Sequence, residues 1–129
     1  MTRARNARLA IAAVFLILGG WCLLAPGMML DLGVSPEARS HSPIEPLLMG
    51  CFGAQALLAG LFAALGRFTA RTFAAYGAAL LPFFVFDWYF YAVDRVLTAF
   101  VLLDAVGNAF MLAMCWMGWQ ALRGTNDAA

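Results

Sequence analysis

The chain has 129 residues, of which 64% are hydrophobic and 12% are charged. A soluble domain is about half apolar and a quarter charged, so this composition, with a mean hydropathy of +0.84, indicates a protein of the lipid bilayer. Eight arginines, no lysine and seven acids give a net charge of +1. This balance offers no basis for nucleic-acid binding or for an acidic tail.

Long charge-free runs predict the membrane-spanning helices, because a span needs about 20 apolar residues. The first run follows three arginines and ends at Pro26-Gly27. We favour a helix over a secretory signal peptide here, since the run is long and no small-residue cleavage site follows it. The four predicted helices cover residues 8–26, 43–66, 71–93 and 95–122.

Residues 27–42 form the one long predicted loop, in which Ser35-Pro36-Glu37 has the sequence of a single helical turn. At the start of the second helix, Ser42 is placed as the N-cap, Pro43 in the first turn and Glu45 as the capping-box partner.

Within the second helix, Ala56, Gly60 and Ala64 form a stripe of small residues that lets another helix approach closely. That partner helix could belong to the same chain or to a second copy.

The two remaining helices each contain one acid at membrane depth. Asp87 lies in the third helix, beyond Pro82 and within a run of aromatic residues, and Asp104 lies in the fourth. Helical rise from the outer boundary puts them at depths of about 10 Å and about 14 Å. Asn108 follows Asp104 by one turn and shares its face.

The arginines predict the orientation, because positively charged short loops stay in the cytoplasm. Both termini are then cytoplasmic, and short connections make sequential helices antiparallel, so we expect an up-down-up-down four-helix bundle forming a single membrane domain. The arginines of the cytoplasmic side are Arg3, Arg5, Arg8, Arg67, Arg71 and Arg123, and those of the outer side are Arg39 and Arg95.

Ionisable groups inside a membrane are costly unless they are paired or hydrated, so Asp87 and Asp104 are the best indicators of function. One interpretation is an outward-opening polar pocket that binds a proton or a cation, joined by Asn108, by Gln55 of the second helix and by Glu45 near its mouth. The other is structural: Asp104 and Asn108 make interhelical hydrogen bonds, while Asp87 reaches the interface or pairs with Arg95.

The run of aromatic residues around Asp87 also allows both a ligand-binding and a structural interpretation. Trp88 and Tyr89 could hold a lipophilic cation beside Asp87, because aromatic faces attract cations. They also match the aromatic belt found at membrane boundaries.

No metal site or cofactor is expected. The chain contains one histidine, His41, and no zinc, phosphate-loop or nucleophile-elbow motif. An enzyme acting on lipid at the outer surface would have only Glu45, His41 and Asp94 available, and their spacing indicates no known catalytic set.

The first half of the chain resembles the small four-span bacterial inner-membrane proteins grouped as DoxX-like or of unknown function. The resemblance implies an architecture and a location in a bacterial inner membrane rather than an activity. It rests on Gly19-Gly20, Leu24, Ala25, Pro26, Leu32-Gly33, Glu45, Gly50, Gly53 and Gly60.

Two functions follow from these patterns. The first is a non-enzymatic helical-bundle scaffold or accessory subunit, acting as a homo-oligomer or within a larger membrane complex. The alternative is a proton- or cation-linked carrier, or a lipophilic-ligand binder, that uses the intramembrane aspartates.

Overall fold

The computed structural model describes residues 2–124, and this part of the chain is helical apart from its connections. Four of its helices are long and apolar enough to cross a membrane, which indicates a multi-pass membrane protein. The helices are α1 (Thr2–Leu24), α2 (Pro26–Gly33), α3 (Ile44–Leu65), α4 (Ala70–Trp88) and α5 (Val101–Leu122). A 3-10 turn at Pro36–Ala38 and a π-helical turn at Tyr89–Val93 complete the regular structure.

Helices α1 and α3 pack backbone to backbone through glycines. A Cβ atom placed on Gly53 would lie 2.5 Å from the backbone nitrogen of Leu23 and 2.7 Å from the carbonyl oxygen of Gly19. Farther along α3, Gly60 faces Leu16, which comes earlier in α1. The two helices therefore run in opposite directions, and the missing side chains of the glycines permit their close approach.

Helix α5 packs against both α1 and α4. Gly118 of α5 lies under the ring of Phe73, a fully buried residue of α4, while Gly107 faces Val14 of α1. The buried core draws on α1, α3, α4 and α5. Its members are Ala4, Ala7, Ile11, Ala12, Ala63, Phe73, Leu80, Met111 and Cys115.

The end of α3 is held by a charged side chain from α1. The Arg8 guanidinium donates hydrogen bonds to the carbonyl oxygens of Ala63 (3.1 Å), Ala64 (2.8 Å) and Gly66. These carbonyls have no partner within the helix, and a cation at a helix C-terminus is also favoured by the helix dipole. Arg8 thus joins the start of α1 to the end of α3.

At the opposite end of the helices, the connection between α1 and α3 is joined to the connection between α4 and α5 by backbone hydrogen bonds. The Ser35 backbone N–H donates to the Val96 carbonyl (2.8 Å), and the Thr98 N–H donates to the Gly33 carbonyl (2.9 Å). Arg39 secures the same region by bonding to the Asp31 carboxylate at 2.9 Å. We call residues 25–43 and 94–100 the cap.

The cap explains why the fourth span begins at Val101 rather than at residue 95. The backbone of residues 96–98 is hydrogen-bonded to the first connection and is extended, so it cannot continue a helix. The predicted loop 27–42 contains α2, and the turn expected at Ser35-Pro36-Glu37 is present as the 3-10 turn.

The other helix starts also differ from the predictions. The first helix begins at Thr2 because packing buries Ala4 and Ala7, which lie before residue 8. The second begins at Ile44, and Glu45 does not form the expected capping box. Its carboxylate accepts hydrogen bonds from the backbone N–H and the hydroxyl of Ser40 instead, at 2.8 and 2.7 Å.

A capping box does occur at the third span, where it was not predicted. Thr69 and Thr72 exchange side chain to backbone hydrogen bonds, so that α4 begins at Ala70.

Candidate functional site

The two intramembrane acids lie where α4 ends and α5 begins, beneath the cap. Asp87 is in the last turn of α4 and Asp104 is in the first turn of α5. At the helical rise, Asp104 is only about 5 Å along the axis from Val101. It is therefore nearer to the helix end than the predicted depth of about 14 Å, which assumed a helix starting at residue 95. An acid in a first turn is favoured by the helix dipole.

The carboxyl groups of Asp87 and Asp104 lie close enough to interact, and Asn108 lies beside both. The Asn108 amide donates a 2.8 Å hydrogen bond to Oδ2 of Asp104. This bond stays within α5. Oδ2 of Asp87 is shielded from solvent and has no hydrogen-bond partner among the described residues. The site thus combines two acids, one amide and one unsatisfied oxygen.

Helix α1 also contributes a residue close to Asp104, one of the two acids. Cys22 near the end of α1 is buried and lies close to Asp104. Asn108 is only 3% exposed, so the amide is enclosed where α5 packs against its neighbours. Sequence analysis could not place Cys22 near Asp104, because the two residues come close only when α1 packs against α5.

No cation balances the two acids within residues 2–124. The ion pair present in that part of the chain joins Arg39 and Asp31 in the cap, and neither Asp87 nor Asp104 forms one. The pairing of Asp87 with Arg95, which the sequence allowed, is therefore absent from the described structure. Two ionised carboxylates this close together repel each other.

A single proton removes this repulsion. One carboxyl then becomes a hydrogen-bond donor and the other stays an acceptor, so the two groups bind each other. A cation between them has the same electrostatic effect. The arrangement can therefore hold a proton or exchange it for a positively charged ligand.

The aromatic residues beside Asp87 do not enclose it. Trp88 is 63% exposed and Tyr89 is 42% exposed, in positions that a bilayer would cover with lipid. Tyr89 also begins the π-helical turn, which alters the direction of the side chains that follow.

An apolar groove of about 860 Å³ runs between α4 and α5, the helices that carry the two acids. At the end nearer the cap, its walls include Phe84, three residues before Asp87, and Ala109, which follows Asn108. Trp116 and Trp119 line the other end.

The two other predicted pocket residues lie elsewhere. The side chain of Gln55 on α3 is exposed and makes no hydrogen bond within the described residues. Glu45 is bound to Ser40 in the cap. Neither residue takes part in the hydrogen bonding of Asp87, Asp104 and Asn108.

The predicted stripe of small residues faces α1 of the same chain. The Cβ of Ala56 would be 2.8 Å from a Cβ atom placed on Gly19, Gly60 contacts Leu16, and the carbonyl of Ala64 accepts from Arg8. In the described structure these positions therefore hold two helices of one chain together.

No group of three or more histidine, cysteine or acidic side chains that could hold a metal ion occurs between residues 2 and 124. Comparison with family models, with curated proteins and with solved structures finds no match.

Proposed function

We propose that this multi-pass membrane protein binds a proton, or a cation that exchanges with it, at the Asp87–Asp104 pair. It would then act as a proton- or cation-linked carrier or as a binder of lipophilic ligands. The observation that carries the proposal is the buried, unpartnered oxygen of Asp87, close to the carboxyl group of Asp104, with neither acid in an ion pair within the described structure. Acids placed in this way at membrane depth are typical of proton relays and ion pathways.

The groove between α4 and α5 favours a lipophilic cation as the ligand. Its apolar walls suit a hydrophobic body, and its end near Phe84 lies about one helical turn from Asp87. A ligand in the groove could place its positive charge against the carboxyl pair and displace the proton.

The proposal includes an orientation and a location. Both termini would be cytoplasmic, with α1, α3, α4 and α5 crossing in an up-down-up-down bundle and the cap on the outer side. The arginine distribution supports this orientation. The resemblance of the first half of the chain to DoxX-like proteins supports a bacterial inner membrane.

The test is binding of tetraphenylphosphonium to the purified protein in lipid vesicles, measured at several pH values. We expect wild-type binding to strengthen as the pH rises, because the ligand competes with a proton. Asp87→Asn and Asp104→Asn should each abolish this pH dependence. Asp94→Asn is the matched control, since Asp94 is exposed in the cap. Binding that is unchanged in both site variants would refute the proposal.

A scaffold or accessory subunit remains the second candidate, supported by the position of the acid pair between α4 and α5. In that role the shared proton would serve only to make a hydrogen bond between the carboxyl groups of Asp87 and Asp104, which joins α4 to α5. Asp87→Asn preserves such a bond because its amide can donate to Asp104, whereas Asp87→Leu removes it. If the wild type and Asp87→Asn are equally stable, Asp87→Leu is unstable and none of the three binds the cation, the scaffold role is favoured.

A further inference from the structure

The side of α3 away from α1 is exposed along the helix, although the Phe62 ring also packs against Phe68 and Tyr76 of the same chain. The opposite side, with Gly53 and Gly60, packs on α1. Six of the exposed residues on the uncovered side are spaced alternately three and four positions apart. We call them the Gln55 face: Leu48, Cys51, Gln55, Leu58, Phe62 and Leu65.

Gln55 is the polar residue of this face and lies at the middle of the span. Its side chain is exposed, and it makes no hydrogen bond within residues 2–124. A bilayer provides no water at this depth, so an amide there is stabilised by a polar group from another helix. The face therefore needs a partner that offers both a hydrogen-bond donor and an acceptor at one level.

The spacing of the face also specifies the shape of its partner. Apolar residues alternating at three and four positions form the seam along which two helices pack at a small crossing angle. A single polar residue within such a seam fixes the register of the two helices. The partner is thus a second helix lying nearly parallel to α3, with its own polar group opposite Gln55.

We propose that the partner is a second copy of this chain, bound through the Gln55 face of both protomers. Two copies inserted in the same orientation present every residue at the same depth, so Gln55 meets Gln55 across the two-fold axis. The carboxamide is self-complementary, because each amide can donate its N–H and accept at its oxygen. This dimer does not depend on the Asp87–Asp104 site, which lies on α4 and α5.

Cys51 provides a reporter that is already in the protein. It is exposed on the Gln55 face, one turn from Gln55, whereas Cys22 and Cys115 are buried. In a parallel dimer the two Cys51 thiols would lie on facing positions of the seam. Oxidation with copper phenanthroline in vesicles of phosphatidylethanolamine and phosphatidylglycerol should therefore give a disulfide-linked dimer.

Three variants complete the experiment. Cys51→Ser should abolish the cross-link. Introducing Leu102→Cys into that variant should not restore it, because Leu102 is 52% exposed but lies on α5. Gln55→Leu should raise the dimer Kd about tenfold, measured by energy transfer between labelled protomers in the same vesicles.

The proposal is overturned if wild-type Cys51 does not cross-link, if Leu102→Cys cross-links as efficiently, or if Gln55→Leu leaves the Kd unchanged. Binding of tetraphenylphosphonium by Gln55→Leu should match that of the wild type, which separates failure of the dimer from failure of the cation site.

Discussion

The side-chain amide of Asn108 donates a 2.8 Å hydrogen bond to Asp104, one turn earlier on the same helix. The bond satisfies one oxygen of Asp104 and directs the amide toward the place where Asp87 arrives from α4. Asp87 then faces one acid and one amide that already has a partner. The pair of acids is therefore asymmetric, with Asp104 better satisfied than Asp87.

The Asn108 bond gives the first prediction. Asn108→Leu should lower the free energy of unfolding by about 1–3 kcal/mol, because it leaves a partly buried carboxyl oxygen of Asp104 without its donor. In an Asp104→Leu background the same change should cost much less, since the acceptor is already gone. Reversible unfolding in mixed micelles measures both, and additive effects of the two substitutions would contradict the account.

The contact of α1 with α3 gives the second prediction. Gly53→Ala should destabilise the protein by about 1–3 kcal/mol, because the added Cβ would strike the backbones of Leu23 and Gly19. Gly50→Ala is the matched control one turn away, where a Cβ meets nothing within 4 Å. It should be neutral or stabilising, since alanine favours helix more than glycine. Thermal unfolding of the two variants tests this, and equal effects would show that the helices do not pack as described.

The Arg8 contact gives the third prediction. Arg8→Ala should lower the free energy of unfolding by about 1–2 kcal/mol, because three carbonyls at the end of α3 lose their donor. Arg5→Ala removes the same charge from an exposed position of the same helix and should have little effect. Unfolding in micelles separates the two variants. If Arg8→Ala and Arg5→Ala lower the free energy of unfolding by similar amounts, the effect comes from the lost charge and not from the hydrogen bonds of Arg8.

Much of the fold follows from the sequence because apolar length is a local property, and the four spans are present as predicted. The start of the fourth helix could not be predicted, since residues 96–98 are held extended by backbone bonds to residues 33–35. Glu45 is a similar case, because Ser40 is brought to its carboxylate by the fold of the cap.

The candidate site, like the fold, could be predicted from the sequence only in part. Asp87, Asp104 and Asn108 stand out in the sequence as polar residues inside apolar helices. The sequence could not show that Gln55 lies on an exposed face, because helix periodicity predicts which residues share a face but not which face is covered. It likewise left open whether Ala56 and Gly60 pack within the chain, and only the position of α1 answers this for the described structure.

The central claim, that Asp87 and Asp104 share one proton, is tested most directly by infrared spectroscopy of the protein in lipid vesicles at neutral pH. A protonated carboxyl group has a C=O stretching band distinct from that of a carboxylate, and the band shifts in D2O. We predict this band in the wild type and in Asp94→Asn, and its loss in both Asp87→Asn and Asp104→Asn, because the remaining acid then accepts hydrogen bonds from amides. A wild-type spectrum without the band, or a band that persists in both site variants, would contradict the account.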